Sequence, residues 1–441
     1  MSDGVRTTLV PIFARQLGST DRQIGFIVGS AGIIKVFLDI LFGFATSVYG
    51  FRGIMMAGMM VNVLGSLIAA FALTPTHLVI ASVLWGAGIG AFYVARHVFI
   101  AKAVPRDIRG RLMSILGGGF RWCSFFGPAL GGALMEVAGC RVAAFFLAPL
   151  CAVCAYVVSV DEKIYAEDNR MGEGEERGGI CAEIRNMAVA FWKYWDVVLR
   201  VGGYAFNIVC LRQARRLLLA LAAMNMGLSS SMVGVVLGLS FVVDASLFFL
   251  GGYIMDKFGR KYAAIPTTVN LGFAFFLLVW ARTPLSLILV ALFFGLADSV
   301  GAGVLLTLTA DHLPPSGGAP FMGLMRTVQD AGQAVGPVAC GLIIEYFSFS
   351  SACCVMGGVG LFNGMWAFLM IPEKSLTQVE EEEAAARVEV DAVTTVSEEE
   401  MRKDISDATT PDGDLFLSEE CLLVATRETL GTGLNCTDED S

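Results

Sequence analysis

Long apolar stretches alternate with short polar connections along most of the chain. Each stretch has about 20 residues, and a helix of that length crosses the hydrocarbon core of a bilayer, which is about 30 Å thick. We number these predicted membrane-spanning helices spans 2–12. They run approximately over residues 23–47, 54–73, 78–103, 112–136 and 142–160 in the first half, and over 197–226, 232–255, 262–281, 285–310, 321–346 and 352–371 in the second. The pattern predicts an all-α integral membrane protein.

A sequence repeat with a fixed spacing of 209 residues relates the two halves from Gly18 to Glu136, without insertion or deletion. Glycines and prolines carry most of the match. Gly18, Gly25, Gly50 and Pro128 recur as Gly227, Gly234, Gly259 and Pro337. Because these residue types fix backbone geometry and allow close approach, we expect both halves to share one architecture. Duplication in an apolar chain favours a transporter whose two halves enclose a central site.

The first span is short. It consists of Val5 to Leu17, which aligns by the repeat with the last half of span 7, so that Arg6 aligns with Arg215. A helix of this length rises only about 20 Å and does not cross a bilayer alone. We therefore expect twelve helices with an apparently truncated first helix. We favour a start codon upstream of Met1 over a natural loss of the first turns.

Charge indicates the orientation and the domain organisation. The connections after spans 2, 4 and 8 carry Arg and Lys residues, which the positive-inside rule assigns to the cytoplasm. We predict a six-helix half at residues 1–160, a cytoplasmic linker at 161–196, a second half at 197–371 and a tail at 372–441. The tail has 20 Asp or Glu against 5 Lys or Arg, which is typical of a disordered cytoplasmic segment. A cytosolic partner of the tail is conceivable but not identified. The host membrane is a plasma membrane or an organelle membrane.

Composition and motifs exclude several other classes of protein. With 55% hydrophobic and 16% charged residues, the chain is far more apolar than a soluble domain, and we expect no nucleic-acid partner. The C-x-x-C pair of Cys151 and Cys154 lies in an apolar span without a second pair. The three histidines form no H-E-x-x-H pattern, and no phosphate-binding loop of an ATP-driven pump is present. We therefore expect no metal, no cofactor and no enzyme.

The connection between spans 8 and 9 contains the pattern G-x-x-x-D-K-x-G-R-K. Its residues are Gly252, Asp256, Lys257, Gly259, Arg260 and Lys261. This pattern closely resembles the loop signature of the major facilitator superfamily. The resemblance implies a twelve-helix fold of two pseudo-symmetric six-helix halves with a midplane site. We expect the two glycines to allow close helix approach and a tight turn, and Asp256 to hold a helix end or a cation. The first-half copy has Ser47 in place of the Asp.

A second motif lies in span 5 and repeats partially in span 11. Its residues are Gly127, Pro128, Gly131 and Gly132, with Gly336 and Pro337 at the repeated positions. The first copy resembles the G-P-x-x-G-G pattern of the superfamily's antiporters, which implies proton antiport. A proline bends a helix and glycine allows close packing, so we expect these helices to rock against each other. Ser82 stands where drug and proton antiporters usually carry Arg in span 4.

Ionisable residues within the spans are the strongest functional signal, because each costs about 2.5–3.5 kcal/mol at a helix centre. They are Lys35 and Asp39 in span 2, Arg96 in span 4, Arg121 in span 5, Arg212 and Arg215 in span 7, Asp244 in span 8, Asp298 in span 10, and Arg326 and Asp330 in span 11. In the superfamily fold, span 2 faces span 11 and span 5 faces span 8. We therefore predict two inter-half charge pairs, Lys35 with Asp330 and Arg121 with Asp244. The alternatives are pairs that only hold the halves together, or a pair within span 2.

Charges without a charged counterpart in the repeat are candidates for the solute site. Asp298 aligns with Ile89, and Arg96 aligns with Leu305, on spans that line the cavity of the superfamily fold. The predicted substrate-binding residues are Arg6, Arg96, Arg215 and Asp298. An isolated carboxyl group in a low dielectric can bind and release a proton, so Asp298 is the predicted proton or cation site. The alternative is a permanent ion pair with Arg96 or Arg215.

The leading hypothesis is a secondary active transporter that moves a small organic solute by alternating access, with proton antiport and efflux. The alternative is a gradient-driven uptake carrier for an organic anion, because Arg side chains bind carboxylates well. A third hypothesis, from another class, is a transport-inactive membrane sensor or scaffold, suggested by the short first helix and the acidic tail. The expected partners are the solute, protons and the lipid bilayer.

Overall fold

The computed structural model describes residues 2–103, 106–161, 185, 188–189, 191–312 and 318–371. Their helices are α1 Ser2–Gln16, α2 Asp21–Ala70, α3 Pro75–Ala103, α4 Arg106–Ala138, α5 Cys140–Val160, α6 Trp195–Val197, α7 Gly203–Asn225, α8 Ser230–Phe258, α9 Arg260–Trp280, α10 Pro284–Ser299, α11 Val304–Asp311, α12 Gly318–Tyr346 and α13 Phe349–Met370. A π-helix at Val198–Gly202 joins α6 to α7. The predicted all-helical fold class is confirmed. The predicted tail and most of the predicted linker lie outside the described residues.

Among the described residues, seven helical segments are long and apolar enough, by length and composition, to cross a membrane. They are Tyr49–Ala70, Pro75–Ile100, Cys140–Val160, Ser230–Met255, Arg260–Trp280, Pro284–Asp311 and Phe349–Met370. The first part of α2, α4, α7 and α12 are not among them. These are helices that carry many of the ionisable residues singled out above. Ionisable residues within membrane-spanning helices face other helices rather than lipid.

Two stretches differ from the predicted spans. Spans 2 and 3 follow each other without a loop, because the chain turns within α2 at Gly50 alone, with φ 78° and ψ 159°. Span 10 was predicted to be continuous, but the structure breaks it between α10 and α11. There the amides of Gly301 and Ala302 donate to carbonyls three residues earlier rather than four, and Gly303 has φ 90°. Glycine permits this break because a positive φ is strained for a residue with a Cβ.

The 209-residue repeat is visible in the backbone. Gly18 and its counterpart Gly227 both have positive φ, at 79° and 71°. The helices that follow begin at equivalent positions, where the hydroxyl groups of Thr20 and Ser229 cap them by accepting from the amide three residues later. Gly50 and Gly259 also share a positive φ. The two halves therefore repeat the same turns and helix starts. We call the end marked by Gly50 and Gly259, which carries the loop signature, the signature face, and the other end the opposite face.

The two halves approach each other most closely where α2 crosses α12 and α4 crosses α8. At the first crossing, a Cβ on Gly25 would lie 2.5 Å from the carbonyl oxygen of Pro337, and one on Gly341 would lie 3.1 Å from the Cα of Gly25. At the second, a Cβ on Gly132 would lie 3.0 Å from the Cα of Gly234. Both crossings use repeat-related residues. Because lipid provides no hydrophobic drive for helix association, small residues that let backbones touch hold such crossings together.

The crossing of α4 and α8 gives a first testable prediction. Gly132→Ala places a methyl group against the backbone of α8, and overpacking of this kind costs about 1–3 kcal/mol. Gly252→Ala in α8 is the matched control, because nothing lies within 4 Å of a Cβ there. We expect thermal unfolding in detergent to shift to lower temperature only for Gly132→Ala. Equal melting temperatures for both variants would contradict the close crossing.

Candidate functional site

A cavity lies where α1, α2 and α3 of the first half meet α7 and α12 of the second. It encloses about 670 Å³, including its open mouth. Three cationic side chains line it, Arg6, Lys35 and Arg216, and Asp3 is the acidic residue of its wall. Each half contributes cations. The cavity therefore has an excess of positive charge, at the place where the fold predicts a solute site.

Arg6 has two buried hydrogen-bond donors without a partner, and Arg216 on the same wall has one, at Nε. The side chain of Arg6 is only 6% exposed, and its guanidinium group lies over the ring of Trp85 at 4.8 Å from the centroid. Nη2 lies 3.6 Å from the thiol sulfur of Cys151, whereas Nε and Nη1 have no hydrogen-bond partner. Asp3 lies on the same helix, yet no salt bridge joins the two side chains among the described residues. An unsatisfied guanidinium group away from water is costly, so Arg6 is a group that needs an acceptor.

In the second half, Asp298 is enclosed by two arginines of α7. Arg212 donates from Nε to Oδ1 at 2.8 Å, and Nη1 of Arg215 lies 3.2 Å from Oδ2. Arg215 is 1% exposed and also donates to the carbonyl oxygen of Phe294. The expectation that Asp298 is an isolated carboxyl group is therefore wrong, and the alternative of an ion pair with Arg215 describes the geometry. Neither Asp298 nor Arg215 is part of the cavity wall described above.

The two predicted inter-half pairs differ in the structure. Nε of Arg121 in α4 lies 3.2 Å from Oδ1 of Asp244 in α8, which joins the halves as predicted. The ammonium group of Lys35 in α2 instead donates to the side-chain amide of Gln333 in α12 at 3.2 Å. Asp330 forms its salt bridge with Arg326, one turn earlier in α12, at 3.0 Å. The direct contact of Lys35 with Asp330 is therefore not present in this conformation, because each has a closer partner.

The interface of α2 and α12 contains a pair of carboxyl groups. Asp39 and Asp330 lie close enough to interact electrostatically, and Lys35 and Arg326 act on the same two groups. Across from them, α3 presents Gly90, where a Cβ would lie 3.0 Å from Oδ1 of Asp39. Ionised carboxylates only accept hydrogen bonds, so a bond between two of them requires one proton. The pair can therefore hold a proton at the boundary of the two halves.

The loop signature forms a turn between α8 and α9. Gly259 has φ 103° and begins α9, which agrees with the tight turn expected of it. Nε of Arg260 lies 2.9 Å from Oδ2 of Asp311 at the end of α11. The glycine that allows close approach is Gly251 rather than Gly252, since a Cβ at Gly251 would lie 2.7 Å from the carbonyl oxygen of Val300. The other cations make local contacts, Lys257 with the hydroxyl of Tyr253 and Lys261 with the carbonyl oxygen of Phe368. The side chain of Asp256 lies outside the described residues.

The residues of the G-P-x-x-G-G motif form packing surfaces between helices. A Cβ on Gly4 of α1 would lie 3.0 Å from the Cα of Gly127, and one on Gly131 would lie 3.1 Å from the Cα of Val5. In the second half, a Cβ on Gly336 would lie 2.6 Å from the carbonyl oxygen of Cys210 in α7. Both α4 and α12 remain helical through their prolines, Pro128 and Pro337. The glycines of the motif thus allow α1 to pack closely against α4, and α7 to pack closely against α12.

The structure separates the four predicted substrate residues. Arg6 lines the central cavity, and Arg96 instead lies over the ring of Tyr93 at 4.8 Å, outside the cavity wall. Trp85, Arg216 and Gln333 are among the cavity residues that the sequence did not indicate. Arg216 follows Arg215 directly, so its charge was a usable signal. The positions of Trp85 and Gln333 depend on helix rotation, which hydropathy alone does not give.

Comparison with known proteins agrees with this architecture. The profile of the family described as Major Facilitator Superfamily matches residues 1–226 and 204–406. An uncharacterised MFS-type transporter of Methanocaldococcus jannaschii is 22% identical over 370 residues, which cover 81% of this chain and 92% of that protein. The multidrug resistance protein MdtG of Escherichia coli is 22% identical over 297 residues, covering 66% and 70% of the two chains. The crystal structure of the nucleoside transporter NupG superposes with a TM-score of 0.68 at 13% identity, covering 84% and 96%.

The enclosed Asp298 gives a second prediction. Asp298→Asn leaves Arg212 and Arg215 without a counter-charge, and breaking a buried pair costs about 3–5 kcal/mol. The control is Asp196→Asn, which removes an exposed pair with Arg200 whose side chains are about half exposed. We expect a clear fall in melting temperature for Asp298→Asn and none for the control. An unchanged Asp298→Asn protein would mean that the two arginines do not depend on this carboxylate.

The contact between Arg121 and Asp244 gives a third prediction. Single changes to Ala should each lower stability, because each leaves one buried charge of the pair behind. The exchange of Arg121→Asp with Asp244→Arg should recover part of that loss, and a double-mutant cycle measures the coupling. Simple additivity of the two single changes would show that the pair contributes no interaction across the halves.

Proposed function

Because the chain belongs to the major facilitator superfamily, a family of secondary transporters and not of enzymes, we propose that it exports a small organic solute by alternating access in exchange for protons. It is an integral multi-pass membrane protein, and its solute binds in the central cavity. The observation that carries the proposal is the cavity itself, whose wall combines charged side chains of both halves. A site shared by two halves changes its accessibility when the halves rotate against each other.

Contacts between the halves on the opposite face support alternating access. Arg15 at the end of α1 donates from Nη1 to Oδ1 of Asn225 at the end of α7, at 2.6 Å. Glu136 at the end of α4 accepts from the amide of Ser231 at the start of α8, at 2.9 Å. These hydrogen bonds lie beside the two glycine crossings. They close the opposite face, and they involve exposed groups that water can replace when this face opens.

The carboxyl pair of Asp39 and Asp330 supports proton coupling. The two groups belong to different halves and interact electrostatically, and a hydrogen bond between two carboxyl groups needs a proton. Rotation of α2 against α12 changes their separation, and separated carboxylates no longer share that proton. We assign the proton to this pair rather than to Asp298, because Arg212 and Arg215 already compensate the charge of Asp298.

Export is the proposed direction, because the motif at Gly127 and Pro128 resembles that of antiporters and a relative of the chain is a multidrug resistance protein. The second candidate is uptake of an organic anion down a gradient, which the excess of cations in the cavity favours. The two candidates differ in which gradient drives accumulation. Antiport requires that the solute and the proton move in opposite directions.

The test uses purified protein in proteoliposomes and a panel of labelled organic solutes, with and without an imposed pH gradient. We expect at least one solute to accumulate in the compartment from which protons leave. Accumulation of a solute in the compartment that protons enter supports the uptake alternative. If no solute of the panel is transported, the transport-inactive alternative is supported.

Variants of the carboxyl groups locate the coupling site. We expect Asp39→Asn and Asp330→Asn to abolish accumulation driven by the pH gradient while solute exchange at equal pH continues, because an amide carries no titratable proton. Asp196→Asn is the control, since this exposed carboxylate pairs with Arg200 outside the cavity wall. If Asp39→Asn and Asp330→Asn keep full proton coupling and Asp298→Asn loses it, Asp298 is the proton site instead.

A further inference from the structure

The repeat gives Arg6 a partner for comparison in the other half. Arg6 and Arg215 are separated by 209 residues and occupy equivalent positions of α1 and α7. Both guanidinium groups contact a residue at the same repeat position, Arg6 the ring of Trp85 and Arg215 the carbonyl oxygen of Phe294, and Arg215 also lies over the ring of Phe241. Two buried arginines therefore occupy the same kind of site in the two halves.

Two charged positions break the correspondence, and the first is Arg212, whose counterpart Asp3 lies on the cavity wall with Arg6 but forms no salt bridge with it among the described residues. The second is Asp298. The carboxylate that neutralises Arg215 comes from Asp298, and the counterpart of Asp298 in the first half is Ile89. Ile89 lines the central cavity together with Arg6. The first half thus has the buried guanidinium group but lacks the carboxylate that the second half provides.

From this difference we infer that the transported solute carries a carboxylate, which binds Arg6 and takes the part that Asp298 plays for Arg215. The inference rests on the proposed function, because it takes the central cavity to be the solute site. It adds the substrate class, an organic anion with an apolar body, and applies to export and uptake alike.

The donors of Arg6 support an anionic ligand. Nε and Nη1 have no partner in a side chain that is 6% exposed, and both carry hydrogens that a carboxylate can accept. Lys35 and Arg216 on the same wall add positive charge, which exceeds that of Asp3. A neutral solute would leave this excess uncompensated.

The apolar side of the cavity supports an organic rather than an inorganic anion. The wall that contains Arg6 also includes the ring of Trp85 and the side chains of Ile89, Val10 and Val28. Apolar and aromatic surface of this kind gains free energy by covering a hydrocarbon body. A small hydrated anion gains nothing from it.

The test measures binding to the purified full-length protein in detergent. The probes are acetate, benzoate and 1-naphthoate, each compared with its primary amide, and sodium sulfate as an inorganic anion. The readouts are the melting temperature and the tryptophan fluorescence, since Trp85 adjoins Arg6. We expect a carboxylate of the series to bind about ten- to a hundredfold more tightly than its amide, which is the contribution of hydrogen bonds to a charged group. Sulfate should have a smaller effect.

A pair of variants at one position tests the role of Arg6 without removing it. Ile89→Asp supplies the missing carboxylate, so Arg6 should become neutralised as Arg215 is, and carboxylate binding should fall by about tenfold or more. Ile89→Asn is the matched control, because it has the same shape without the charge, and it should bind carboxylates more tightly than Ile89→Asp. The melting temperature of Ile89→Asp should equal or exceed that of Ile89→Asn, which also shows that the protein is folded.

The inference is overturned if no carboxylate binds more tightly than its amide, if sulfate alone is bound, or if the two Ile89 variants bind carboxylates equally. Its failure is distinct from failure of the proposed function. Carboxylate binding without transport in proteoliposomes keeps this inference and rejects the transport proposal. Gradient-driven transport of solutes that lack a carboxylate does the reverse.

Discussion

An ionised side chain away from water is stable only when another group compensates its charge, and this requirement organises the interior of the protein. The helices that bear buried charges are the ones that face other helices across the bundle. Asp298 satisfies the requirement for Arg212 and Arg215 within one half. Between the halves, Arg121 and Asp244 satisfy it for each other. At Arg6 two guanidinium nitrogens have no hydrogen-bond partner, and this is where we propose that a group from outside the protein binds.

The halves also meet at uncharged contacts, the two glycine crossings, where the helix backbones touch. The glycine crossings lie near the opposite face, and Arg121 precedes Pro128 by seven residues, which places the charged layer about 10 Å further along α4. Backbones in contact can rotate with little change in separation, whereas side chains 10 Å away move apart. Rocking about the crossings would therefore alter the distances within the charged layer more than those at the crossings themselves.

Much of this architecture could be predicted from the sequence, because hydropathy gives the helices and the repeat gives their pairing. The contact between Arg121 and Asp244 followed from the repeat and the superfamily resemblance together. The sequence did not indicate Gln333 as the partner of Lys35, and for Asp298 it gave Arg215 as an alternative partner but not Arg212. Gln333 and Arg212 each lie about one helical turn from the residue that was predicted as the partner. Side-chain rotamers and the rotation of each helix determine which neighbour forms the contact, and the hydrophobic periodicity of the sequence predicts neither. The break between α10 and α11 was also missed, because its glycines lie in a stretch whose mean hydropathy is that of a continuous span.

This break has a mechanical consequence. Arg212 donates both to Asp298 in α10 and to the carbonyl oxygen of Gly301 in the break, so one guanidinium group spans the joint between the two helical segments. At its other end, α11 is tied through Asp311 to Arg260 of the loop signature. A movement of the loop signature would thus displace α11. Through α11 it would also displace the guanidinium group of Arg212, which binds Asp298. Bending at the joint therefore also changes the charge environment of Arg215. The first half has no equivalent joint, because α3 is continuous.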